Sequence, residues 1–243
     1  MSNQLELVLP YIFAACGAGI LGGVLAFFWA PGVHARSAVQ HFAAGVVIAA
    51  VASDLIPEIE KIGKPFGVIV GFIAGGLLMI VMKWFVLKFE ARDKKKGKLP
   101  LGISVAAAAD TLIDGAIISA GFLTGQNLGS LLTIAMATEL FFLTLSVGSE
   151  FHKIKSARWL GLAVTTGIAL LLFVGAIGAI FFLKDISKPG LAVFLAFGSA
   201  ALIYLIAEEL LVESIEAEES LFSTAMLFAG FAAVFMLTLL SMH

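Results

Sequence analysis

The stretch Leu101-Gly-Ile-Ser-Val-Ala-Ala-Ala-Ala-Asp110-Thr111-Leu-Ile-Asp114-Gly115-Ala-Ile-Ile-Ser119-Ala-Gly121-Phe-Leu123 has the length of a bilayer crossing, with two carboxylates near its middle. A spanning helix needs roughly 20 mostly apolar residues. Asp110 and Asp114 lie four positions apart, so they share one face of such a helix. Ionised carboxylates are expensive in hydrocarbon, and intramembrane acids therefore face a cavity, a partner or a permeating ion. The stretch reads as a membrane helix that handles cations.

Working outward, seven more hydrophobic stretches surround it. The expected spans are 7–30, 38–57, 66–88, 101–123, 129–151, 158–183, 190–212 and 221–241. They leave no room for a soluble domain, so residues 1–243 read as one all-α, polytopic integral membrane domain. A content of 60% hydrophobic and 13% charged residues excludes an ordinary soluble protein. The first span is not read as a cleaved signal, because Met1 to Glu6 carries no Lys or Arg and the apolar stretch is too long. The single Cys16 excludes an internal disulfide and a thiolate cluster, and reads as a small packing residue beside Gly17 and Gly19.

Charge placement sets an expected topology. Arg36 follows span one, six basic residues from Lys88 to Lys98 follow span three, and Lys153, Lys155 and Arg158 follow span five. The opposite side carries Lys61, Lys64, Lys184 and Lys188, with Lys83 snorkelling from the end of span three. The positive-inside rule then puts the basic loops in the cytoplasm and both termini outside. Glu213, Glu216, Glu218 and Glu219 follow span seven on the same side, as a solvated acidic loop or a landing site for cations. The scarcity of cysteine and the compact chain are compatible with a bacterial inner membrane.

Spans two and seven align without gaps. Phe42 falls on Phe197, Ala52 on Ala207, Asp54 on Glu209, Leu55 on Leu210 and Glu58 on Glu213. They would cross in opposite directions, the signature of an inverted repeat with its substrate site near the midplane. Aligning Asp110 with Glu139 sets Asp114 on Leu143 and Gly115 on Thr144. Three helices, a central pair and three more helices is the resulting 3+2+3 arrangement.

The acids carry the chemistry. Asp110 and Asp114 on one face repel each other in low dielectric, so either one is protonated or a cation sits between them. Thr111 and Ser119 add hydroxyl oxygens, and Gly115 and Gly121 permit close helix approach. Glu139 stands about midway along span five with no basic partner in a helix interior. Glu208 and Glu209 lie towards the end of span seven, and only one of them is expected to face the bundle. Asp54 lies near the outer end of span two. The four histidines, His34, His41, His152 and His243, fall at or beyond the expected helix ends, which makes them interfacial or capping residues. Oxygen-only ligand sets suit hard ions such as Mg²⁺, Mn²⁺ or Ca²⁺, whereas Zn²⁺ sites usually recruit His or Cys.

These residues resemble a known family. Phe42-Ala-Ala-Gly-Val through Asp54-Leu-Ile-Pro-Glu58 is similar to the second helix of the ZIP (Zrt/Irt-like) divalent metal transporters. Asp110-Thr-Leu-Ile-Asp114-Gly115 resembles their fourth-helix His-Asn-x-Pro-Glu-Gly signature. The resemblance covers essentially the whole chain and implies import of ions such as Zn²⁺, Fe²⁺ or Mn²⁺ through a site between helices four and five. Carried over by position, Asp110 stands for His, Thr111 for Asn, Ile113 for Pro and Asp114 for Glu. Glu139 takes a histidine's place in helix five, and Leu143 that of its second acid. The family's histidine ligands and its His-rich loop are absent, which leaves room for one metal rather than a pair.

The expected function is carriage of a divalent cation (Zn, Mn, Fe, Mg or Cd) by alternating access, with Asp110, Asp114, Glu139 and Thr111 central, Glu209 or Glu208 towards the exit and Asp54 near the outer mouth. The metal is cargo, and no prosthetic group, enzyme activity or nucleic-acid partner is expected. A proton-coupled carrier of another solute and a metal-binding sensor that does not transport are the alternatives. Neither a Gly-x4-Gly-Lys-Ser/Thr nor a Gly-x-Gly-Asp motif occurs. Small residues such as Gly71, Gly75 and Gly76 suit tight contacts within a protomer or across a homodimer.

Overall fold

The computed structural model describes residues 2–29, 31–93, 100–154, 157–210 and 221–241. Among them the chain forms helices and no strand, and eight helices are long and apolar enough to cross a membrane. They are α1 (Ser2–Phe28), α2 (Val33–Ala49, continuing through Ala50–Leu55 and Ile56–Ile62), α3 (Pro65–Asp93) and α4 (Leu101–Thr124). After these come α5 (Gln126–Lys153), α6 (Arg158–Leu183), α7 (Lys188–Leu205, continuing through Ile206–Leu210) and α8 (Leu221–Ser241). The chain is an all-α polytopic membrane protein.

Helix α2 is longer than the expected span 38–57 at both ends, because its polar residues face protein. The Ser37 hydroxyl bonds Ser223 of α8 at 3.2 Å, and Arg36 donates to Glu150 of α5 at 2.5 Å. Arg36 is thus a helix residue in an ion pair and not a free loop charge. His41 also lies inside α2 and not at its end, with Nδ1 2.8 Å from the Ser37 carbonyl. His152 in the last turn of α5 does act as a cap, meeting the carbonyls of Ala26 and Phe27 at the end of α1.

The helices form two groups: α1 packs on α5 and α6 while α4 packs on α6 and α5, and α2 packs on α8 while α3 packs on α7. Contacts of α2 with α5, α4 with α7 and α3 with α4 join the groups. Burial follows this plan, since 67% of the apolar stretch of α5 is inside the protein against 17% for α3 and 22% for α8. The exposed Phe66, Ile69, Ile73, Leu77, Ile80 and Trp84 of α3 make an apolar outer face of the kind that suits lipid. Lys88 sits 4.6 Å over the Trp84 ring, an aromatic and basic anchor of the interfacial kind.

An internal repeat is built into these contacts. Gly75 of α3 lies against the backbone carbonyl of Phe197 in α7, and Gly230 of α8 lies against that of Phe42 in α2. The shift that sets Phe42 on Phe197 also sets Gly75 on Gly230. The other group behaves alike. Gly175 of α6 abuts the Leu112 carbonyl of α4, while Gly22 of α1 abuts the Phe141 carbonyl of α5. Gly115 abuts the Leu172 carbonyl, and the matching Thr144 donates to the Gly19 carbonyl at 2.7 Å. The alignment of Asp110 with Glu139 is the one that pairs Leu112 with Phe141 and Gly115 with Thr144. As successive crossings, α2 and α7 run in opposite directions, so the 3+2+3 repeat is inverted.

Both repeat-related helices α2 and α7 also wind into a π turn, at Ala50–Leu55 and Ile206–Leu210. Each turn holds an aligned acid, Asp54 or Glu209. Pro57 follows the first turn and donates no backbone hydrogen bond. Helix α7 bulges without a proline at the matching Val212, so proline alone does not impose the turn. Gly71 and Gly75 both meet carbonyls of α7, which places these two small residues in contacts within the protomer.

Gly75→Val and Gly230→Val will each destabilise the protein by about 1–3 kcal/mol, because the new side chain collides with backbone that cannot retreat. Gly76→Ala, whose new methyl meets nothing within 4 Å, will not. Thermal midpoints of the detergent-solubilised variants check this.

Candidate metal site

Helix α4 is made for close packing around its acids. The run Val105 to Ala109 gives a narrow, strongly helix-favouring segment, and Gly115 brings the backbone of α6 against α4 one residue beyond Asp114. Helix α5 packs directly on α4. Its Glu139 therefore meets the face that Asp110 and Asp114 share.

The three carboxylates are 4%, 0% and 2% exposed for Asp110, Asp114 and Glu139. One oxygen from each lies within 4.8 Å of the other two. Among the described residues this is the one group of three or more acidic, His or Cys side chains with ligand atoms so close. Both Asp114 oxygens are buried without a hydrogen-bond partner. A buried, unsatisfied carboxylate costs more than a neutral polar group, and two further carboxylates beside Asp114 add mutual repulsion. The arrangement needs positive charge at its centre, as protons or as a cation.

Two oxygens on opposite sides of Mg²⁺, at about 2.0–2.1 Å each, stand about 4.2 Å apart, and those around Ca²⁺ about 4.6–5.2 Å. A spread of at most 4.8 Å suits the coordination sphere of one ion of either size. Three carboxylates would fill only part of a six-coordinate shell and leave the rest to water.

The other expected ligands are placed differently. Thr111 is buried, but its hydroxyl donates to the Ala107 carbonyl one turn back at 2.7 Å. Ser119 likewise donates to the Ala176 carbonyl of α6 at 2.9 Å. Asp54 is buried in the π turn of α2, where Oδ1 accepts from Thr238 of α8 at 3.0 Å, and it stands outside the triad. The Glu209 side chain lies outside the described residues, as do Glu213, Glu216, Glu218 and Glu219 and the Lys94–Lys98 run. Glu208 is half-exposed and accepts from Lys83 of α3. A cavity of about 140 Å³, whose lining includes Met79, Met82, Lys83, Asp110, Tyr204 and Glu208, joins that ion pair to the buried Asp110.

Two features escape a reading by sequence. Lys83 does not simply snorkel to an interface: it lies inside the apolar stretch of α3 and pairs across to α7. Its signal was its position in Ile80-Val-Met-Lys83-Trp-Phe-Val-Leu, apolar on both sides. Glu150, a second acid on α5, is taken by Arg36 and Lys153 and so belongs to the scaffold.

Asp114→Asn will raise the thermal stability of the protein in chelator by about 1–3 kcal/mol, since it removes one carboxyl from a crowded, mutually repelling cluster. The same variant will lose the stabilisation that added divalent cation gives the wild type. Thermal melts with and without Mn²⁺ measure both effects.

The chain matches no protein-family model and no curated protein.

Proposed function

We propose that this protein transports divalent cations and is a divergent relative of the ZIP-like transporters. The observation that carries the reading is the buried carboxylate triad of Asp110, Asp114 and Glu139, with its oxygens within 4.8 Å of one another. A divalent ion among them offsets most of the mutual repulsion and replaces hydration water with carboxylate oxygens. The charge left over keeps binding weak enough to release the ion. Mn²⁺, Mg²⁺, Fe²⁺, Zn²⁺ and Cd²⁺ are the candidate cargoes, with hard ions favoured by an all-oxygen set.

The division of the helices into two groups supports a means of movement. The triad belongs wholly to the group α1, α4, α5 and α6, whereas Asp54, Lys83 and Glu208 belong to the group α2, α3, α7 and α8. A shift of one group against the other carries the triad from an opening near Asp54 to one near Glu208, which is alternating access by rigid-body movement of one helix set against the other. With the basic loops in the cytoplasm, the Glu208 opening is the inner one. Glu209 and Glu208 receive the ion there.

Uptake into proteoliposomes tests the reading. Saturable flux of at least one of the five ions is expected, and Asp110→Ala will lower it at least about tenfold, the scale on which even supporting residues of metal sites act. Flux that is driven by pH and indifferent to metal would replace the reading with a proton-coupled carrier. Stoichiometric binding without flux would replace it with a sensor.

A further inference from the structure

The cavity that reaches Asp110 has a cation of its own in its lining. The Lys83 ammonium contacts the Glu208 carboxylate across α3 and α7, both side chains being nearly half exposed. Asp110, at 4% exposed, is the buried acid of the same cavity, with Met79, Met82 and Tyr204 also in its lining. Any ion that leaves or reaches Asp110 by this route passes between an ammonium group and the acid it holds.

We infer that Lys83 is a tethered counter-ion that gates this cavity, occupying Glu208 until a passing cation displaces it. This rests on the proposed transport reading only for the identity of the passing ion. Lys is suited to the task because its charge sits on a flexible four-carbon stem, so it releases one acid without a change of backbone. Its ammonium also repels cations electrostatically along a low-dielectric wall, where such fields are focused. Removing it leaves Glu208 as an unopposed negative charge at the mouth. The gate would then favour cations over neutral solutes instead of restraining them. An ion pair that stands off the route to Asp110 predicts something else: loss of stability without any change in charge selectivity inside the cavity.

Thiol chemistry in detergent micelles tests this without any need for flux. Ala106 lines the cavity, and the buried Cys16 is removed as Cys16→Ser, which keeps its hydrogen bond to the Ala169 carbonyl. In that background Ala106→Cys is modified by a trimethylammonium-bearing methanethiosulfonate and by a neutral one of similar size. Lys83→Met will raise the ratio of the cationic to the neutral rate by about tenfold or more, the lower end of electrostatic focusing in charged clefts. The reversed pair Lys83→Glu with Glu208→Lys, which keeps the mouth neutral and the ion pair intact, will return the ratio to within about twofold of the unchanged pair, the residue of screening differences at an exposed site. A ratio that Lys83→Met leaves unchanged overturns the gate, as does a reversed pair that behaves like Lys83→Met. A raised ratio in a protein that shows no flux would keep the gate and discard transport, whereas flux with an unchanged ratio would do the reverse.

Discussion

Three carboxylates held within 4.8 Å of one another inside an apolar helical bundle are the constraint on which the rest of the molecule depends. A protein interior tolerates one such group when it is well hydrogen-bonded, and Asp114 has no hydrogen-bond partner at either oxygen. Folding around the triad is therefore work done against electrostatics. The surrounding structure supplies what opposes it: tight glycine-mediated crossings of α4 on α6 and α1 on α5, and a large buried core that includes Ile117, Ile118, Leu132, Met136, Leu140 and Leu172. Positive charge at the centre relieves the repulsion without disturbing that core. This is why the same feature that strains the bundle also points to a cation.

The inverted repeat explains how one chain builds such a site. Matching contacts recur in both halves, from Gly75 and Gly230 on the Phe197 and Phe42 carbonyls to Gly22 and Gly175 on those of Phe141 and Leu112. Asp110 and Glu139 are equivalent under this repeat, so two of the three carboxylates come from symmetry. The third, Asp114, is matched by Leu143 and breaks it. The site is consequently lopsided, with two acids from α4 and one from α5. The π turns of α2 and α7 are the second equivalent pair, and each carries an aligned acid in its sequence, Asp54 and Glu209. Bulges of this kind cost regular hydrogen bonding and concentrate where function needs an altered helix face.

Much of this was legible in the chain because membrane helices and intramembrane acids leave strong marks. Eight apolar stretches gave the architecture, and the i, i+4 spacing of Asp110 and Asp114 gave one face of the site. The ungapped match of Phe42 to Phe197 anticipated contacts that no hydropathy pattern contains. What the sequence hid has a common cause. Ser37, Arg36 and His41 shorten the hydrophobic signal of α2, although they bond to neighbouring helices or to their own. The Lys83–Glu208 pair depends on how α3 is rotated against α7, and the Thr111 hydroxyl turns back to its own helix for reasons of local geometry. Polar residues in a membrane protein are read correctly only once their partners are known, and partners are set by packing.

The most direct test of the central claim is a crystal structure of the protein soaked in Mn²⁺, with anomalous scattering measured to place the metal. The account predicts one strong peak within bonding distance of carboxylate oxygens from Asp110, Asp114 and Glu139, absent in Asp114→Asn. A protein that shows no peak there at saturating Mn²⁺, with the three side chains ordered, would contradict it and leave the triad as a protonated structural cluster.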